Sequence, residues 1–215
     1  MRLVGMLDSP YVRRVAICLD ALGVPFEHEA VSVFTTYERF RQVNPVVKAP
    51  TLVCDDGGIL MDSALILQYV EATHFPEGSP LWSRNPRQLL LQFRAVAFAS
   101  AAADKVVQFV YEKQLRPPSA QHGPWLDRVR SQFTAAFAAL EALLAGEPAL
   151  TQGTPGHSSI WPAVVWQVTQ SLVPGEVPPE RHPHLAQLSE QAENSALFQR
   201  WLPVGPGVPA GSGGT

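Results

Sequence analysis

The pattern of hydrophobic residues changes near position 80, and this change constrains the fold more than any other feature. Before it, short strand-like apolar runs alternate with helix-like segments. After it come long stretches rich in Ala and Leu with a period of about 3.6 residues. The segment Phe75-Pro76-Glu77-Gly78-Ser79-Pro80 has the composition of a linker. The sequence therefore predicts an α/β domain over 1–75, a linker over 76–84 and an all-helical domain over 85–202.

The first domain is predicted to alternate strands and helices. Ser9 and Pro10 are typical of a helix start, with Ser9 as N-cap, and Gly23 of a helix end. The order is βαβαββα, with an antiparallel hairpin at Asp55-Asp56-Gly57-Gly58. The predicted strands are Arg2–Leu7, Phe26–Val33, Thr51–Cys54 and Ile59–Met61, and the predicted helices run over residues 10–22, Thr36–Val43 and Asp62–His74. On the first helix, Arg13 and Arg14 are predicted to lie away from the apolar face.

The second domain is predicted to be helical throughout. Its predicted helices are Pro86–Lys113, Trp125–Ala145, Ile160–Leu172 and Pro183–Asn194, with a last turn at Phe198–Trp201. The tail over residues 203–215 has thirteen residues, of which eight are glycine or proline and none is charged. Because such a segment has little to bury, we expect it to be disordered.

Composition excludes several classes of protein. The net charge of −3 gives no basic excess for nucleic acid. The longest apolar run, Thr134 to Ala145, falls short of the roughly 20 residues that a membrane span needs, and the N-terminus reaches Asp8 too soon for a signal peptide. Cys18 and Cys54 are too few for a disulfide framework or a zinc site. We expect a cytoplasmic protein with no metal, no membrane and no nucleic acid partner.

A strand, a Ser9-Pro10-Tyr11-Val12 turn and a helix have the local architecture of a thioredoxin-type site. Redox proteins of that type carry cysteines at the first and fourth positions, where this chain has Ser9 and Val12. Dithiol exchange needs two sulfur atoms, so the chain cannot perform it alone. A hydroxyl at a helix N-terminus can instead hold the thiolate of another molecule, because the N–H groups and the helix dipole favour negative charge.

Two further segments suggest a receptor for a peptide. Pro50 precedes an apolar strand, and a cis Ala49–Pro50 bond would turn the backbone of Ala49 outward to pair with an extended ligand. Asp62-Ser63 begins a helix, where the serine can receive a carboxylate and the aspartate an ammonium group. Lys48 supplies a cation for another carboxylate. The predicted ligand is a small thiol peptide with a carboxylate at each end and one amino group.

Three motifs together resemble the cytosolic glutathione transferases, and most closely their serine-type branch and its bacterial members. They are Ser9-Pro10-Tyr11-Val12-Arg13, Lys48-Ala49-Pro50-Thr51-Leu52-Val53 and Asp62-Ser63-Ala64-Leu65-Ile66, in that order and spacing. The resemblance covers essentially the whole chain. It implies a thioredoxin-like domain followed by a helical domain, a homodimer, and a pocket between the domains for a small apolar electrophile.

The resemblance also implies a role for each matching residue. Ser9 would be the catalytic residue, donating a hydrogen bond to the sulfur of glutathione and stabilising the thiolate that attacks the electrophile. Ala49 would pair with the cysteinyl backbone of glutathione, and Pro50 would be the structural cis-proline of the family. Asp62-Ser63 would hold the γ-glutamyl end. Lys48 matches a position that contacts the glycyl carboxylate in some classes of the family.

The second substrate is the least determined part of the site. From helix phase, the electrophile pocket is predicted to involve Tyr11, Phe98, Ala102 and Val106. Ser9 alone is also consistent with a plain helix cap, and Tyr11 with a packing residue. Two other functions remain open: a non-catalytic glutathione-binding or regulatory protein of the same fold, and a glutathione-dependent peroxidase, reductase or isomerase.

Overall fold

The chain divides into two compact units. The structure, a computed structural model, describes residues 1–209. The first unit comprises Met1–Arg84 together with Asn194–Gly207, and the second is built on Asn85–Glu193. The last residues of the predicted helical domain, 194–202, therefore fold with the first unit. The predicted linker, 76–84, belongs to the first unit as well.

A four-stranded mixed sheet forms the centre of the first unit. The strands are β1 (Arg2–Val4), β2 (Glu27–Glu29), β3 (Thr51–Val53) and β4 (Ile59–Met61), in the spatial order β2-β1-β3-β4. β1 is parallel to β2 and antiparallel to β3, and β3 is antiparallel to β4. β1 is shorter than predicted because the chain turns at Gly5, whose φ is 144°.

Three helices accompany the sheet: α1 (Pro10–Ala21), α2 (Tyr37–Val43) and α3 (Ser63–His74). Helix α1 packs against α3 and β1. Neighbouring residues of β1 point to opposite faces of the sheet, and Val4 forms a buried cluster with Val31 and with Phe40 of α2. The core of this unit therefore has a layer on each side of β1, and the predicted βαβαββα order is confirmed.

The sequence predicts that Arg13 and Arg14 lie away from the apolar face of α1, and the structure shows that both are nevertheless buried. Arg13 donates from Nε to the carbonyl oxygen of Trp201 at 2.7 Å, and its guanidinium lies 5.4 Å from the ring centre of Phe198. The helical period of α1 correctly identifies the apolar face. It cannot show that polar partners from distant parts of the chain cover a second face.

The segment after residue 193 attaches to the first unit through Trp201. The indole nitrogen of Trp201 and Nε of Arg200 each donate to Oδ2 of Asp20 at 2.7 Å. The indole ring stacks on Phe26 with ring centres 5.0 Å apart. These contacts hold helix α8 (Ala196–Gln199) beside α1.

Residues 203–209 have a defined path, although the sequence predicts disorder for 203–215. The backbone N–H of Gly207 donates to Oδ2 of Asp8 at 2.7 Å. Residues 210–215, the rest of that prediction, lie outside the described residues.

The second unit is helical, as predicted. It contains α4 (Pro86–Gln114), α5 (Gly123–Gly146), α6 (His157–Leu172) and α7 (Pro183–Glu193), joined by loops and short 3₁₀ turns. Helix α4 packs along α5 and α6, and α6 packs against α7. The indole nitrogen of Trp161 donates to Ser100 Oγ at 2.9 Å, which links α6 to α4. Over residues 1–209, no helix combines the length and apolar character that a membrane span requires.

Candidate functional site

Ser9 occupies the N-cap position of α1, as predicted, but its hydroxyl does not act as a cap. Its backbone is extended, with φ −72° and ψ 120°, and its side chain forms no capping hydrogen bond to the helix. The backbone N–H of Ser9 donates to the Met6 carbonyl at 3.1 Å, which closes the turn between β1 and α1. Pro10 follows at the first helical position, where it needs no N–H partner. The hydroxyl is therefore not consumed by capping and is half-buried beside the positive end of the helix dipole.

The loop between α2 and β3 is organised by Asn44, whose side chain is buried. Nδ2 of Asn44 donates to Thr51 Oγ1 at 2.9 Å, and Oδ1 accepts from the Val46 N–H at 2.9 Å. Thr51 Oγ1 in turn donates to the Lys48 carbonyl at 2.8 Å. The side chains of Asn44 and Thr51 therefore brace both ends of the segment that contains Ala49 and Pro50.

The loop has two unusual backbone features. The Ala49–Pro50 peptide bond is cis, as the family resemblance implies. Val47 has φ 54°, in the left-handed region that β-branched residues rarely adopt. Such a conformation persists only where the surrounding contacts over-determine it, and the side chain of Asn44 fixes Val46 and Thr51 on either side of Val47.

Asp62 forms the N-cap of α3. Its Oδ1 accepts from the N–H groups of Ala64 at 2.9 Å and Leu65 at 3.4 Å. Oδ2 lies 3.7 Å from Nζ of Lys48, and both side chains are about half exposed. Asp62 has φ 77°, the second non-glycine residue of the described chain in the left-handed region. An exposed ion pair of this kind is worth at most about 1 kcal/mol, so a charged ligand can displace it.

Gly5 lets the site elements approach one another closely. A Cβ added at Gly5 would lie 2.6 Å from Val12 Cγ2 and 3.2 Å from Ala49 Cβ. The first turn of α1 and the Ala49 loop therefore meet across the end of β1. Together with the Lys48–Asp62 contact, this arrangement brings Ser9, the Ala49 loop and the start of α3 to the same end of the central strands β1 and β3. Ser63, also predicted at the site, is buried at the first position of α3.

Arg14 connects α1 electrostatically to α3. Burial lowers the pKa of its guanidinium, while the charges of Cys18, Asp62 and Glu71 act in the opposite direction. Glu71 lies on α3 and is buried as well. A buried cation that interacts with Glu71 of α3 and with Asp62 at its N-cap favours one relative position of the two helices, whose N-cap residues are Ser9 and Asp62.

The two cysteines of the chain do not form a dithiol at the site. Cys18 is fully buried on α1, and burial raises the pKa of its thiol to about 12. Cys54 is half-buried just after β3. Neither cysteine forms a disulfide.

The residues predicted for the electrophile pocket fall into two groups. Tyr11 on α1 and Phe98 on α4 are half-buried, and their proposed contact with an electrophile stays a prediction. Ala102 and Val106 are 0% and 1% exposed on α4, so they present no surface to a ligand. They are packing residues, because α4 is covered by α5 and α6 over much of its length.

Within residues 1–209, no cluster of three or more His, Cys, Asp or Glu side chains could hold a metal ion.

Sequence reasoning missed three residues that position the site: Gly5, Arg14 and Asn44. The dipeptide Asn44-Pro45 is a turn signal, but it does not reveal that the amide side chain points inward. Arg14 lies one helical turn before Cys18, a buried residue, and this spacing could have indicated a buried arginine. Gly5 directly follows an apolar run, where a close backbone approach is common.

Residues 3–78 match the family model described as "Glutathione S-transferase, N-terminal domain". The "Uncharacterized GST-like protein YibF" of Escherichia coli (strain K12) is 31% identical over 144 residues, which cover 67% of this chain and 70% of that protein.

Solved structures extend the similarity over nearly the whole chain. A glutathione S-transferase of Methylobacterium radiotolerans, in complex with glutathione sulfonate, superposes with a TM-score of 0.81, 28% identity and 96% coverage of each chain. A glutathione transferase family member of Pseudomonas fluorescens Pf-5, with bound glutathione, gives a TM-score of 0.82 at 27% identity and covers 95% of this chain and 99% of its own. The chain therefore belongs to the glutathione S-transferase family.

Proposed function

We propose that the protein is a serine-type glutathione transferase. Glutathione would bind along the first unit, and Ser9 would donate a hydrogen bond to its sulfur. The observation that supports this role most is the Ser9 hydroxyl, which lies at the N-terminus of α1 and forms no capping bond. Two relatives at 28% and 27% identity were crystallised with glutathione sulfonate and with glutathione.

The proposed binding mode uses the elements that meet at one end of β1 and β3, namely the start of α1, the Ala49 loop and the start of α3. The backbone of Ala49 would pair with the cysteinyl residue of glutathione. Asp62 would receive the ammonium group of the γ-glutamyl residue and Ser63 its carboxylate, since the N–H groups at the start of α3 favour an anion. Lys48, 3.7 Å from Asp62, would exchange that weak ion pair for a ligand carboxylate.

The proposed chemistry is attack of the glutathione thiolate on a carbon atom of a small apolar electrophile. The carbon–sulfur bond forms while the leaving group departs with its electron pair, or while an unsaturated acceptor takes up a proton. Ser9 stabilises the anion and forms no covalent bond. Tyr11, in the first turn of α1, would contact the electrophile. The molecule is proposed to be a homodimer, because apolar side chains remain exposed on both units, among them Ile59, Leu65, Tyr69, Leu90 and Phe93.

The ionisation of bound glutathione tests this proposal directly. The thiolate absorbs in the ultraviolet, so its absorbance can be followed against pH, with S-methylglutathione as a blank that binds but cannot ionise. We expect a midpoint at least about one pH unit below the roughly 8.5 of a free thiol, which corresponds to about 1.4 kcal/mol of preference for the anion. Tight binding with an unshifted midpoint would instead support a non-catalytic glutathione-binding protein.

Asn44 provides a prediction about the binding loop. We expect Asn44→Ala to raise the KM for glutathione about tenfold and to leave kcat within about threefold, a pattern that indicates lost ground-state binding. The reason is that Thr51 loses a donor and the Val46 N–H loses an acceptor, so the Lys48–Pro50 segment is no longer braced.

Steady-state kinetics with glutathione as the varied substrate measures this effect. Asn44→Asp is the matched control, because it keeps an acceptor for Val46 but removes the donor to Thr51, and it should give an intermediate KM. A variant whose kcat falls while its KM stays unchanged would contradict a positioning role for Asn44.

A further inference from the structure

The segment of residues 202–207, here called the C-terminal strap, lies against the turn that precedes α1. The Gly207 N–H donates to Oδ2 of Asp8 at 2.7 Å. The backbone of Gly205 lies even closer to the same carboxylate: a Cβ added at Gly205 would be 2.1 Å from both Cγ and Oδ2 of Asp8. Only glycine fits this contact without a displacement of the strap or of Asp8.

The strap is anchored at its other end by Trp201. That residue is held by its indole bond to Asp20, by the Arg13 Nε bond to its carbonyl oxygen and by its stacking on Phe26. The strap is therefore fixed on both sides, by three contacts at Trp201 and by Asp8 at Gly205 and Gly207. A segment tethered at both ends loses little further entropy when it is ordered, and this helps it remain in place.

The carboxylate that holds the strap belongs to Asp8, which directly precedes Ser9, the residue to which the proposed function assigns the sulfur of glutathione. From this placement we propose that the strap determines substrate specificity: it restricts the size of the group that can be attached to a sulfur held at Ser9. The inference rests on the proposed function, because it uses the sulfur position assigned there. It assigns a role to Gly205, Gly207 and Asp8.

The strap can be displaced by a single methyl group. The φ of Gly205 is not in the left-handed region, so Gly205→Ala introduces the steric contact with Asp8 without a backbone penalty of its own. Gly175→Ala is the matched control, because Gly175 is also an exposed loop glycine without a left-handed φ and a Cβ there meets nothing within 4 Å. Asp8→Ala releases the strap by a second route, since it removes the acceptor of Gly207 and leaves Gly205 unchanged.

Two measurements on the full-length protein test the inference. Hydrogen exchange at the Gly207 amide reports whether the strap is bound. Calorimetry with S-methylglutathione and S-hexylglutathione reports the space beside the sulfur and requires no turnover. We expect faster exchange at Gly207 in both Gly205→Ala and Asp8→Ala. We also expect the affinity for S-hexylglutathione to rise about tenfold relative to that for S-methylglutathione, a difference of about 1.4 kcal/mol, and Gly175→Ala to match the parent protein.

The results that would contradict the role of the strap can be told apart from those that would contradict the proposed function. An unchanged ratio of the two affinities, despite faster exchange at Gly207, would overturn the inference and leave the proposed function intact. Rapid exchange at Gly207 in the parent protein would also overturn it, because the strap would then not be held on Asp8. A parent protein that binds neither glutathione derivative would overturn both the proposed function and the inference that rests on it.

Discussion

Ser9→Ala is expected to lower kcat about 100-fold, a loss of about 2.7 kcal/mol of transition-state stabilisation, while the Kd for glutathione changes less than about threefold. In the proposed binding mode the hydroxyl acts on the sulfur alone, and the Ala49 loop and the start of α3 bind most of the tripeptide. Without the hydroxyl, the N-terminus of α1 still favours an anion, so some activity should remain. Kinetics with an activated aryl halide and calorimetry with glutathione measure the two quantities.

The same variant should move the ionisation of the bound thiol. Loss of a hydrogen bond to the anion raises the pKa of the glutathione thiol towards its ordinary value, so the pH at which the rate levels off should also rise. Ser9→Thr is the control, because it keeps a hydroxyl at the same position. We expect its rate to be within about tenfold of that of the parent protein, given the typical size of a single hydrogen-bond contribution. A Ser9→Ala protein with an unchanged rate and an unchanged pH profile would exclude Ser9 as the thiol ligand.

Arg14→Met is expected to lower the free energy of unfolding of the protein by about 3–5 kcal/mol, because it removes the cation from a buried cluster and leaves the Glu71 carboxylate buried without it. Urea denaturation measures the loss. The double variant Arg14→Met/Glu71→Leu should recover most of it, because buried charges that are removed together leave no uncompensated group.

A surface arginine provides the comparison for Arg14. Arg39 is exposed and pairs with Glu29 at 2.6 Å, and Arg39→Met should cost less than about 1 kcal/mol. If Arg14→Met is no more destabilising than Arg39→Met, the charge of Arg14 does not couple α1 to α3. The sites at the two helix starts would then be positioned by apolar packing alone.

The local signals in the sequence were sufficient for the order of elements. Pro10 at the first helical position and Asp62 at the N-cap mark helix starts through interactions with neighbouring residues only, and the structure begins α1 and α3 at those places. The two glycines after Asp56 predict the hairpin that joins β3 to β4. Each of these features depends on backbone hydrogen bonds within a few residues, and this is why a single sequence reveals them.

The same reasoning could not predict what Ser9 and Asn44 do with their side chains. A serine at a helix start predicts a capping bond, yet the Ser9 hydroxyl forms none. Asn44-Pro45 predicts a turn, yet the important contact of Asn44 is with Thr51 in the next strand. Whether a polar side chain serves its own turn or a neighbouring element depends on which groups the fold places within about 3 Å of it.

The sequence by itself determined the βαβαββα order of the first unit and the helical character of the second, because these follow from local periodicity and capping. The tertiary structure alone decided that residues 194–207 join the first unit, that Arg13 and Arg14 are buried, and that the strap reaches Asp8. The physical reason is separation along the chain. The pairs Asp20–Arg200 and Asp8–Gly207 join residues about 180 and 200 positions apart. No local sequence pattern predicts such contacts, because they form only when the core brings the two segments together.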